Sequence, residues 1–379
     1  MSRRPELDAL RGLMLVLMTV THVPTVYSVW LSQPFGYVSA AEGFVFLSAY
    51  LVGIVYTREA IEHGVNSMRA RLWHRAGIVW LCQAGMLLFL FTIIAQIGLR
   101  TDRRSIKNLI SFYLAEPIDA LWTGLSLIYN PPLLDILPMY VLFMLASPIA
   151  LAIGLRRRGW LIVIAVSLAL WLLAQFGLSQ ASYKAIVRAT DLRVPLHETG
   201  SFELVAWQFL WILGLWMGSR REAIPDRYGF SWWIVAISLT FAAACLVGRH
   251  VVGQTPFGPH FELNLLFDKW RLGPLRLLDF FALLVIVARF GPYVAARWRF
   301  PILEALGRAS LPAFCAQLVI VLVVLAMIGD RIGAMPLWAD TLVLILALAG
   351  VYAVALISNR LDREEKIARA APVNARRGG

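Results

Sequence analysis

Long apolar runs separated by short polar breaks dominate this chain. A helix crossing the hydrocarbon core of a bilayer needs about 20 predominantly apolar residues. Such runs number about ten. They lie near 9–31, 36–57, 75–98, 132–154, 159–177, 203–219, 231–248, 273–295, 302–329 and 336–358. The pattern predicts an all-α, polytopic integral membrane protein with about ten transmembrane helices. Residues 1–360 are expected to form a single transmembrane domain, followed by a charged, disordered tail over 361–379. The weakly amphipathic segment 106–128 is expected to lie along the membrane interface. No internal repeat and no low-complexity segment interrupts this plan.

Composition agrees with the pattern. Of 379 residues, 59% are hydrophobic and 15% charged, against about 25% charged in an ordinary soluble domain. A water-soluble fold could not hide so much apolar surface, so lipid must cover much of it. The 14 Trp and 11 Tyr suit two interfacial aromatic belts. Arg3 and Arg4 ahead of an apolar run, with Ser39-Ala40-Ala41 beyond it, imitate a signal peptide. The run is too long for a cleaved hydrophobic region and further spans come after it, so it reads as the first span. Cys82, Cys245 and Cys315 sit inside apolar stretches without pair spacing and read as small core hydrophobes.

The net charge of +12 becomes informative once the basic residues are assigned to loops. One alternating set of loops holds Arg3, Arg4, Arg11, Arg58, Arg69, Arg71, Arg75, Arg156–Arg158, Arg220, Arg221, Arg227, Arg297, Arg299, Arg360, Arg363, Lys366, Arg369, Arg376 and Arg377. The other holds Arg100, Arg103, Arg104, Lys107, Lys184, Arg188, Arg193, Arg249, Lys269, Arg271, Arg276 and Arg331. The richer set also has the shorter connections, so it is expected to face the cytoplasm, with both termini inside. Basic residues gathered in this way do not call for nucleic acid. The opposite face carries three long connections, roughly 99–131, 178–202 and 249–272. Their mixture of aromatic and polar residues, Trp122, Tyr129, His197, Glu198 and Trp270 among them, favours a substrate surface over linkers.

Ionisable groups at membrane depth are functional hypotheses by default. His22 lies eleven residues beyond Arg11, roughly 16 Å deeper along a helix. Glu42 is expected roughly 9 Å below the outer face on the second span, and His22 roughly 14 Å below it on the first. The short connection between them makes the two spans expected neighbours. An imidazole beside a carboxylate is a natural general base, the carboxylate fixing the tautomer and supporting the imidazolium. The plainer alternatives are a histidine bonded to a backbone carbonyl and a glutamate that joins helices. Arg11 is either a positive-inside anchor paired with Asp8 or a phosphate contact at the cytoplasmic mouth. Arg69, Arg71, His74 and Arg75 form a basic cluster, which is a solvated face or the entry for a nucleotide-like donor. Asp135 is an N-cap or a cavity-lining group. Trp207 and Gln208 need polar partners within their span, and Gln208 reads first as helix glue. Glu304, Arg308, Ser310 and Gln317 make a further polar set. Walker A, GxGxxG, HExxH and GxSxG patterns are missing. The six histidines show no ligand spacing, so no metal is expected.

Asp8-Ala9-Leu10-Arg11-Gly12 followed by His22 resembles the opening of membrane acyltransferases of the acyltransferase-3 kind. Further stretches resemble their OpgC branch. They are Ala41-Glu42-Gly43-Phe44-Val45-Phe46-Leu47-Ser48-Ala49-Tyr50, the Asp135–Tyr140 run, Ala206-Trp207-Gln208, Leu272 through Phe280, and Leu306 through Pro312. The resemblance spans about residues 5–358 in matching order. It implies a bacterial inner-membrane enzyme that takes acyl-CoA, succinyl-CoA or acetyl-CoA, from the cytoplasm and acylates a sugar hydroxyl of a periplasmic glucan. It places His22, Glu42 and Arg11 at the family's polar positions. Ala49 stands where the family usually shows glycine, and Ala309 where it often shows histidine. On this reading Arg11, Arg69, Arg71 and Arg75 meet the donor's phosphates, and His22 with Glu42 activates the hydroxyl. Arg276 or Arg308 stabilises the oxyanion, while Asp135, Trp207 and Gln208 face substrate. Two other classes compete: a transporter or flippase of a glycan or lipid-linked sugar, and a non-catalytic partner of glucan synthesis.

Overall fold

The computed structural model describes residues 4–220, 230–329 and 335–375. Arg3, Arg221, Arg227, Arg331, Arg376 and Arg377, all part of the loop-charge argument, lie outside the described residues. The chain is all-helical, with no strand among the described residues. In order the helices are α1 (Pro5–His22), α2 (Tyr27–Trp30), α3 (Ala40–Phe89), α4 (Ala95–Arg100), α5 (Arg104–Leu109), α6 (Ser111–Ala115), α7 (Pro117–Leu125), α8 (Ile136–Gly154) and α9 (Gly159–Gln175). They continue as α10 (Leu178–Thr190), α11 (Leu204–Ser219), α12 (Trp232–Val247), α13 (Phe261–Asn264), α14 (Pro274–Arg297), α15 (Pro301–Arg308), α16 (Ser310–Ile328) and α17 (Leu337–Ala375).

Every apolar run found in the sequence falls on a helix. Among the described residues, six helical stretches are long and apolar enough to cross a membrane: Ala40–Arg100, Ile136–Gly154, Trp232–Val252, Pro274–Arg297, Ser310–Ile328 and Leu337–Glu365. The bent pair α9 and α10, which meet at 82°, makes up to seven if taken as one span. This is the architecture of a multi-pass membrane protein. The first of the six, of 61 residues, contains two of the sequence's runs. Its helix is broken at Gly64, where φ is 86° and ψ 164°. The run 302–329 is likewise divided. Pro312 has no N–H to offer the Arg308 carbonyl, so α16 begins afresh after Ala309. The run 9–31 stops at His22 because Pro24 forces Val23 into an extended conformation. The segment 106–128, expected along the interface, folds as three short helices, α5 to α7. α17 continues through the charged tail to Ala375.

The chain forms two compact units, residues 1–32 with 295–379 and residues 33–294. In the first, α1 and α15 approach backbone to backbone. A Cβ on Gly12 would overlap the Leu303 carbonyl, and one on Gly307 the Asp8 carbonyl. Small residues at a crossing are how helices pack when lipid removes the hydrophobic drive between them. α17 is tied to the same unit at both ends. Asp340 accepts from the Val26 N–H at 2.9 Å, and Asn359 donates to the Ala305 carbonyl at 2.8 Å.

In the second unit α3 is the centre of packing, against α8 and α11. Gly53, Gly214 and Gly218 line its crossing with α11. Ala49, fully buried, faces Gly214. Trp211 of α11 donates to Ser147 of α8 at 3.0 Å, and Tyr140 of α8 donates to the Phe44 carbonyl of α3 at 3.1 Å. The Trp211 indole and the Tyr140 phenol thereby keep their polar ends satisfied while their rings pack in the core.

Candidate functional site

The first unit holds two polar contacts between α1 and α16. Arg11 donates to the Ser310 hydroxyl. His22, the last residue of α1 and half-buried, sets its Nδ1 at 3.1 Å from Nε2 of Gln317. Ser310 and Gln317 lie two turns apart on α16 and so share one face. Gln317 is fully buried. Sequence reasoning placed Gln317 only within a polar set on the ninth run. Nothing local marks it as the partner of a residue 295 positions away. Arg308 directs its Nε to the Glu304 carbonyl at 3.2 Å, and Glu304 receives a two-pronged contact from Arg299, both at 2.9 Å.

The second unit holds a separate buried ion pair. Glu42 is the third residue of α3, and its Oε2 accepts from both the N–H and the hydroxyl of Ser39, at 3.0 and 2.5 Å. These contacts close the first turn in the manner of a capping box. Its other oxygen accepts from Nε of Arg276, in the first turn of α14. Glu42 is 0% and Arg276 1% exposed. A buried pair is tolerable only when the remaining donors and acceptors are also satisfied. Nη2 of Arg276 is the exception, buried with no hydrogen-bond partner among the described residues.

The segment leading into α14 is stitched from several sides. Trp207 donates to the Trp270 carbonyl, Trp171 to that of Leu272 and Gln175 to that of Arg271, at 3.0, 3.0 and 2.9 Å. Leu272, fully buried, is held at a left-handed φ of 52°, a conformation such residues adopt only when their surroundings impose it. Lys269 is thereby presented beside Glu42, Arg276 and Asp135, with its ammonium 4.7 Å from the Trp270 ring. Burial holds that ammonium below the usual lysine range. Arg276 adds to the effect, and Glu42 and Asp135 oppose it.

Each remaining sequence candidate has its own setting. Asp135 caps no helix with its side chain. It accepts from the Ser201 N–H at 3.1 Å and so pins the 199–201 turn. Trp207 is 0% exposed, its ring inside the unit. Gln208 joins α11 to α9, donating to the Ser167 carbonyl at 2.8 Å while accepting from the Ser167 hydroxyl at 2.6 Å. Arg69, Arg71 and Arg75 are exposed on α3 beyond the Gly64 break. Arg71 reaches Glu59 at 2.7 Å, and Glu59 also receives the Ser67 hydroxyl at 2.5 Å.

Over residues 3–363 the chain matches the family model described as OpgC protein. It belongs to the OpgC family. No curated protein and no solved structure matches it. In this OpgC-family chain the match takes in both units, so the α1–α16 contacts and the α3–α14 ion pair fall inside the family's extent. Ala49 sits at a helix crossing, since its Cβ lies against Gly214. Ala309 is buried at the junction of α15 and α16, beside Ser310.

Proposed function

We propose that this chain is a membrane-embedded acyltransferase of a bacterial inner membrane. It moves an acyl group, succinyl in our reading, from cytoplasmic acyl-CoA to a sugar hydroxyl of a periplasmic glucan. About ten spans, with both termini in the cytoplasm, carry it through the bilayer. The observation that supports this best is the imidazole of His22, at the end of α1 with its Nδ1 held by a buried side-chain amide. Arg11 lies on the same helix, roughly 16 Å back along its axis. One helix thus carries a cation and a base at a separation suited to a long donor with phosphates at one end and a thioester at the other.

In this reading His22 takes the proton of the sugar hydroxyl as the oxygen bonds to the acyl carbon. Arg276 or Arg308 is the cation that stabilises the oxyanion. The carbon–sulfur bond then breaks, the thiolate takes the proton from His22, and the products are an ester and free CoA. Arg69, Arg71 and Arg75 attract the donor's phosphates, and Trp270 offers a ring for sugar stacking.

The test is purified protein in nanodiscs with succinyl-CoA or acetyl-CoA, tracking free thiol with and without glucan. Glucan-dependent release that falls by roughly 10²–10⁴ in His22→Ala supports the reading. No release from either donor by folded protein with glucan present overturns it.

A further inference from the structure

Gln317 is 0% exposed. Its Nε2 faces His22 Nδ1, and its Oε1 has no hydrogen-bond partner among the described residues. A primary amide carries two donors at one end and an acceptor at the other. A half-turn about its last torsion exchanges the two ends without moving the rest of the side chain. The contact with Nδ1 therefore survives in either orientation, but its meaning differs. With Nε2 toward the ring, Nδ1 must accept, so the imidazole's own proton lies on its Nε2 and that nitrogen is closed as a base. With Oε1 toward the ring, Nδ1 carries the proton and the basic lone pair sits on Nε2.

Proton uptake decides between the two orientations. An imidazolium is a donor at both nitrogens. Whatever faces Nδ1 must then accept, or two N–H groups confront each other in a buried place. We propose that Gln317 is a positioning residue for His22: it presents Oε1 to Nδ1–H, keeping the Nε2 lone pair for the acceptor hydroxyl and accommodating the imidazolium. This inference rests on the reading of His22 as the general base. A neutral amide suits the role in a way a carboxylate does not, because it directs the tautomer without adding a second buried charge.

The experiment uses full-length protein in nanodiscs with ¹⁵N-labelled histidine, the His22 signals being assigned by their loss in His22→Asn. Wild type is expected to show a protonated Nδ1 and an unprotonated Nε2. Gln317→Glu, which offers acceptors only, should keep that tautomer. Gln317→Met, close in volume but without the amide, should mix the two tautomers. Its turnover should fall by about 10- to 100-fold with little change in the KM for the donor, while Gln317→Glu recovers part of the loss. A wild-type signal with the proton on Nε2, or an unchanged tautomer in Gln317→Met, overturns the proposal. Full turnover in His22→Ala would remove the base reading instead, and the tautomer spectra distinguish that failure from this one.

Discussion

Arg276 and Glu42 face each other from the first turns of α14 and α3, both closed off from solvent. Neither is half of a surface contact. Glu42 is also fixed by the N–H and hydroxyl of Ser39, so the carboxylate shapes the start of α3 and the seat of Arg276 together. Removing one partner leaves a buried charge without its counterion. Glu42→Ala and Arg276→Ala should each cost about 3–5 kcal/mol, read as earlier thermal unfolding in detergent. Replacing both with methionine should restore much of the stability while leaving acyl transfer lost. Equal stability of the single and double variants would refute the coupling.

A second prediction concerns the crossing of α3 and α11. A Cβ on Gly214 would lie 2.7 Å from the Ala49 Cβ and 2.7 Å from the Phe46 carbonyl oxygen. Gly214→Ala should therefore destabilise the protein by about 1–3 kcal/mol. Adding Ala49→Gly removes the first clash but not the second, so the double variant should recover only in part. Unfolding in a denaturant series measures both steps.

Arg11 and Ser310 give a third. If the guanidinium meets the donor's phosphates, Arg11→Ala should raise the KM for acyl-CoA more than it lowers kcat. Ser310→Ala, which removes one acceptor from a guanidinium that stays in place, should raise that KM by less than Arg11→Ala does. A kcat loss in Arg11→Ala at unchanged KM would assign Arg11 to structure.

The fourth is a dependence on pH. Lys269 has its pKa lowered on folding, chiefly by burial. In the interval between its folded value and the ordinary lysine value, near about 10.4, the unfolded chain binds more protons than the folded one. Stability contributed by this group therefore rises as pH rises through that interval. Lys269→Met should flatten the slope of thermal stability over alkaline pH. An unchanged slope would place the burial penalty elsewhere.

The helical runs were legible because an apolar stretch of membrane length has few other fates. The polar stretch 58–74 was less so. Charge made it look like a loop, yet Arg58 pairs with Glu62 and Glu59 with His63 one turn on, and such pairs carry helix through polar sequence. Only Gly64, free to take a positive φ, interrupts it. His22 and Glu42 stood out because ionisable groups are costly at membrane depth, and Arg11 as an anchor or phosphate contact at the mouth of the first span. Gln317, Ser310 and Arg276 stood out as polar too, but not as their partners, since they lie 295, 299 and 234 residues away. Asp135 read as a helix cap or a cavity-lining group, and its Oδ2 accepts from a distant turn instead of capping α8.

The two grips of α16 on α1 have a mechanical consequence. Ser310 and Gln317 hold α1 at two levels from one side, as two pegs hold a rod. A twist of α1 about its axis releases both at once, whereas a tilt releases one and loads the other. Arg11 and His22 are thereby both held to one face of α16, so a shift of α1 against α16 would disturb the two together.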